Sequence, residues 1–133
     1  MNLGGNNMQK YVDGFVLVVP KDKSEEYKKM AEGCRDTWMK HGALGYYECR
    51  GNDLVTQDMG GEKAREFTEM AGASSDETVW FSFIIFKSKK HRDKVNAKVM
   101  AEMNEKMKEY EDMKMSFDMK KMAYGGFQVE VEG

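Results

Sequence analysis

Proline occurs once, cysteine twice and histidine twice in 133 residues, and no apolar run is long enough to span a bilayer. Each scarcity narrows the function. Cys34 and Cys49 share no metal-type spacing, and His41 and His91 belong to no His-x-x-His, Glu-x-x-His or Cys/His cluster, so no metal site is expected. The net charge is only −2 although 33% of the residues are charged, so no overall field draws the chain to nucleic acid or a membrane surface. Gly-x-Ser-x-Gly, P-loop and dinucleotide fingerprints are missing, and no cofactor is expected. The N-terminus lacks a cationic-then-apolar signal pattern. A reduced, cytoplasmic protein is the reading.

What is present is organised around Thr78–Lys87, rich in β-branched and aromatic residues. Its two alternating sets, Val79/Phe81/Phe83/Ile85 and Trp80/Ser82/Ile84/Phe86, are both apolar, which predicts a strand buried on both faces. Tyr11–Val19 predicts another such strand, interrupted only by Asp13 and closed by Pro20. Between them, Ser24–Lys40 predicts a helix with Tyr27, Met30, Ala31, Cys34 and Trp38 on one stripe. Asp22 or Ser24 would cap it and Gly42 would stop it. Ala43–Arg50 predicts a strand carrying Tyr46 and Tyr47. Leu54–Asp76 reads as a surface excursion with a short helix over Glu62–Ala71.

After the central strand, Ser88 caps a second long helix lined by Val95, Val99, Met103, Met107 and Tyr110, with acidic later turns. Lys121–Tyr124 and Phe127–Glu132 predict a last strand broken at Gly125-Gly126 by a bulge or kink. The order is β-α-β-β-α-β, the split βαβ arrangement of an α+β protein with an antiparallel four-stranded sheet. Residues 1–7 read as a disordered leader, with Met8 an alternative start, and residues 8–133 as one domain.

Chemistry-bearing candidates are few. Lys87, Lys89, Lys90, His91 and Arg92 crowd a helix start, the end where positive charge is disfavoured. Two readings stand: a solvated face, or an anion site formed by Ser88, Lys89, Lys90, His91 and Arg92 with the backbone N–H groups. His91 reads as a surface histidine or as a neutral base. The thirteen methionines, crowded after Met100, read as flexible core filler rather than copper ligands. Asp13, Tyr46, Tyr47 and Trp80 are candidate pocket lining, one polar group among aromatics. A carboxylate in an apolar strand needs a partner, expected from a neighbouring strand or a second subunit.

Five ordered blocks then fall into a pattern: Tyr11-Val12-Asp13-Gly14-Phe15-Val16; His41-Gly42-Ala43-Leu44; Asp76-Glu77-Thr78-Val79; His91-Arg92-Asp93 with Val95-Asn96-Ala97-Lys98-Val99-Met100; and Met122-Ala123-Tyr124-Gly125-Gly126-Phe127. From Met8 onward the chain resembles the YbaA-like family of small bacterial proteins. It departs at Ser116, where the family has proline, and over Thr56–Ser75. The resemblance implies ferredoxin-like subunits that pair sheet to sheet as a dimeric α/β barrel. It implies no activity, and cofactor-free monooxygenases enter by fold analogy alone.

Two functions follow as expectations. One is a dimeric small-molecule-binding protein, for a small anionic or aromatic ligand, with a pocket between sheet and helices or inside the barrel. The other is a non-catalytic interaction or regulatory subunit that holds an anionic partner at the basic helix start; RNA is a sub-case without an aromatic–basic strand signature. Homodimerisation through the sheet is expected because a second apolar sheet face has nothing in one subunit to cover it apart from the Leu54–Asp76 segment.

Overall fold

The computed structural model describes residues 9–107 and 117–133. Four strands, β1 (Tyr11–Pro20), β2 (Gly45–Arg50), β3 (Glu77–Phe86) and β4 (Ala123–Gln128), form an antiparallel sheet in the order β2-β3-β1-β4. The two strands with apolar residues on both faces are thus the two central ones. The helices are α1 (Ser24–Lys40), α2 (Phe67–Ala71) and α3 (Lys89–Met107). The leader and the later acidic turns expected beyond Met107 lie outside the described residues.

Register assigns the faces. Asp13 pairs with Ile84, Phe15 with Ser82 and Leu17 with Trp80, so these side chains share one face with Tyr46 and Glu48 of β2. Both long helices cover that face. Leu17, Val19 and Trp80 pack with Tyr27 and Ala31 of α1, while Ile84 and Phe86 pack with Val95 and Val99 of α3. The expected stripe of α1, and Val95, Val99 and Met103 of the second stripe, are therefore core-facing, whereas Tyr110 and the side chain of Met107 lie outside what is described.

Among the described residues the opposite face is covered only at one end. There Val18 and Val79 are buried, and Leu54 and Phe67 of the segment between β2 and β3 stand against Val79 and Phe81. Beyond it Phe81 (46% exposed), Tyr47 and Phe127 lie open beside half-buried Val12, Val16, Phe83 and Ile85. Within the described chain the central strand is thus buried on its helix face but not along the whole of the other.

Several local expectations are corrected. No side chain caps α1; a 3-10 turn at Lys21–Lys23 leads into it, and Ser24 is already helical and buried. The short helix spans Phe67–Ala71 rather than starting at Glu62, and ends on left-handed Gly72. β2 begins at Gly45, because Ala43 N–H still bonds the Trp38 carbonyl at the end of α1. Strand β4 has no bulge or kink at its glycines: Gly125 and Gly126 pair in regular register with Gly14 and Asp13. Gly126 is instead a close approach, since a Cβ there would sit 2.7 Å from Tyr11 Cε2. Two expectations hold as stated. Gly42 stops α1 at φ +110°, and the Ser88 hydroxyl caps α3 by accepting from His91 N–H at 3.1 Å.

Candidate functional site

The strongest polar constellation gathers on Glu48. Alternation along β2 puts Tyr46 and Glu48 on the helix-covered face. There the Glu48 carboxylate accepts hydrogen bonds from Tyr27 of α1 at 2.8 Å, from Tyr46 at 2.6 Å and from Ser82 of β3. Tyr27 and Ser82 are buried. Burial first, and then the adjacent Glu48 charge and hydrogen bond, hold the phenols of Tyr27 and Tyr46 far above the ordinary tyrosine range. The Cys34 thiol is pushed up by burial and by the same carboxylate.

This cluster borders a cavity of about 410 Å3 between the sheet and the two long helices. Its walls are apolar and soft: Phe15, Leu17, Ile84 and Trp38, the thioethers of Met30 and Met103, and the Phe117 ring, which meets Tyr27 edge-on at 5.7 Å. Glu48, Tyr46 and Ala31 also line a neighbouring surface groove of about 400 Å3, where Lys28, Arg35 and Arg50 alternate with Glu25 and Glu32. They form the partition between groove and cavity.

A second network is structural. Asp13 accepts from Arg92 at 2.6 Å and from Asn96 at 3.0 Å, and Asn96 in turn accepts from the Trp38 indole at 3.0 Å. The Arg92 guanidinium lies 4.8 Å from the centre of the Tyr11 ring. Strand β1 is thereby fastened to both long helices. Asp13 thus has the expected hydrogen-bonding and cationic partners, but they come from α3 and not from a neighbouring strand.

The residues singled out from sequence are distributed accordingly. Tyr46 lines both cavity and groove, and Trp80 lines the groove. Asp13 belongs to the Arg92 network, and Tyr47 lies on the open face, stacked on Phe83 at 4.8 Å. At the start of α3, Ser88 is the cap, Lys89 pairs with Asp93 at 3.2 Å, and Arg92 is divided between Asp13 and Asp93. His91 Nδ1 accepts from Lys87 N–H at 3.0 Å, and burial together with Lys87 lowers its basicity. Lys90 is exposed. Four of these five side chains therefore already have partners within the chain.

Sequence reasoning missed Glu48, Tyr27 and Ser82 as a unit. Two signals pointed there: a carboxylate two residues from Tyr46, and Ser82 as the one polar residue inside the apolar run of β3.

Comparison with known proteins finds similar sequences. Residues 10–119 match the family described as "Protein of unknown function (DUF1428)". The uncharacterized protein YbaA of Escherichia coli K12 is 40% identical over 119 residues, covering 90% of this chain and 95% of that protein. YbaA of Shigella flexneri matches to the same extent. Among solved structures, a Bacillus cereus protein related to NIF3 aligns with 94% of this chain and 27% of its own length, at 15% identity and a TM-score of 0.35. The chain thus spans about a quarter of that protein, a likeness too slight to bear on function.

Proposed function

The chain belongs to the DUF1428, YbaA-like family, and we propose that it is a cytoplasmic, dimeric small-molecule-binding protein whose site is the cavity between sheet and helices. The observation that carries this reading is the Glu48 cluster on the wall of an otherwise apolar space of about 410 Å3. Apolar walls with one precisely held polar group are how small-ligand pockets are built. The strand order and the two long helices on one face support a ferredoxin-like subunit. The open apolar face supports pairing of two such sheets into a barrel, which would leave the cavity on the outer, helix-covered side of each subunit.

Saturable binding of Nile red, a neutral apolar dye, tests the cavity. Fluorescence enhancement should saturate in the parent and be lost in Cys34→Trp, which fills the space. Enhancement that survives Cys34→Trp unchanged would place the dye elsewhere and defeat the reading. Of the basic residues at the α3 start, Lys89 and Arg92 are engaged with Asp93 and Asp13, so the cavity reading is preferred to the anionic-partner alternative.

A further inference from the structure

We infer that the cavity takes an organic cation, an amine on an apolar or aromatic body, with its nitrogen on the Glu48 carboxylate. This rests on the cavity reading above and names its ligand class.

Three observations converge. First, Glu48 is the one side chain among the cavity's described lining residues that carries a formal charge at neutral pH. Its hydrogen-bond donors, Tyr27, Tyr46 and Ser82, are all neutral hydroxyls, and no ion pair among the described residues includes it. A carboxylate offers about four lone-pair directions, so three hydroxyls leave room for one more donor. Secondly, Lys28, Arg35 and Arg50 line the groove that Glu48 also borders, yet no hydrogen bond or ion pair among the described residues joins any of them to its carboxylate. Thirdly, the rest of the wall suits an ammonium group. The rings of Tyr27, Tyr46 and Trp38 offer electron-rich faces, and the thioethers of Met30 and Met103 are polarisable.

Electrostatics then discriminates between ligand classes. An anion would meet a like charge in surroundings of low dielectric constant. A neutral apolar ligand would strip water from Glu48 without answering its charge, which is costly. An ammonium answers it. The raised phenols of Tyr27 and Tyr46 and the raised Cys34 thiol report the same field, because each is pushed toward its uncharged form with Glu48 among the causes. For this cavity the aromatic alternative of the expected small anionic or aromatic ligand is kept and given a positive charge.

The test uses three ligands that share one ring system: 1-naphthylmethylamine, 1-naphthylmethanol and 1-naphthoic acid, titrated into the full chain by calorimetry at neutral pH. The amine should bind about tenfold or more tighter than the alcohol, as expected for a desolvated ion pair with cation–π support. The acid should bind weakest. Glu48→Gln, which can still accept from the hydroxyls, should erase the preference by weakening the amine, while the alcohol, relieved of the unanswered charge, should bind at least as tightly as to the parent. Ser82→Ala, which keeps the carboxylate, should retain it. If Glu48→Gln does not melt cooperatively, Glu48→Asp replaces it and should weaken the amine more than the alcohol. An amine no tighter than the alcohol, or a preference that survives Glu48→Gln, overturns the cation assignment and leaves the cavity reading standing. Saturable binding by neither amine nor alcohol overturns both.

Discussion

Asp13 in β1 and Arg92 in α3, 79 positions apart in the chain, meet at 2.6 Å, with 7% and 19% of their side-chain surfaces exposed. Asn96 takes the second carboxylate oxygen at 3.0 Å. Removing one member of a buried pair costs more than the pair contributes, because a charge is left without its counterpart. Arg92→Ala should therefore lower unfolding free energy by about 3 kcal/mol. Asp13→Asn, which preserves shape and one acceptor, should cost about 1–2 kcal/mol. Urea denaturation of both variants measures the difference, and equal small losses would show the pair to be incidental.

The two adjacent glycines of β4 should respond differently. At Gly126 a methyl group would run into the Tyr11 ring, itself held by Arg92, whereas at Gly125 the nearest atom is 3.9 Å away. Gly126→Ala should destabilise by about 1–2 kcal/mol through overpacking. Gly125→Ala should be neutral or slightly stabilising, since it removes backbone freedom from the unfolded chain. A double-mutant cycle with Tyr11→Ala should show coupling at Gly126 alone.

Alkali should weaken the fold through Tyr27 and Tyr46. Both phenols stay protonated in the folded state well above their ordinary value, chiefly by burial and then through Glu48. In the unfolded chain they ionise near pH 10. Above that pH the unfolded state binds fewer protons than the folded one, so stability falls as pH rises, by up to about 1.4 kcal/mol per pH unit for each phenol. Below it their contribution is fully present. Tyr46→Phe should make the decline shallower between about pH 9 and pH 11, read from denaturant midpoints. An unchanged slope would mean that Tyr46 ionises freely in the folded protein.

Neighbouring residues of β3 should separate folding from assembly. Ile84 is 1% exposed beneath the helices, whereas Phe83 lies half-buried on the open face beside Phe81 and Tyr47. Ile84→Glu should fail to fold, because an unpaired carboxylate cannot be held in that core. Phe83→Glu should fold, and sediment as a monomer where the parent sediments as a dimer at low micromolar concentration. A stable, monodisperse parent monomer would remove dimerisation from the proposed function.

The sequence by itself determined which segments are strands and helices and which sides of them are apolar. The β-branched and aromatic content of Tyr11–Val19 and Thr78–Lys87, and the three- and four-residue spacing of Tyr27, Ala31, Val95 and Val99, are local signals that survive without tertiary knowledge. The Ser88 cap and the Gly42 stop are legible for the same reason, since each acts within a turn of its own position. Only the tertiary structure decided which polar groups meet. That Glu48 gathers Tyr27 and Ser82 depends on the β2–β3 register and on how α1 lies across the sheet, and no short window of sequence contains all three. The same holds for Asp13, whose partner waited on the docking of α3, and for Gly126, whose reason is a ring from another strand. Periodicity encodes the face a side chain takes, whereas its neighbours are set by contacts between segments far apart in the chain.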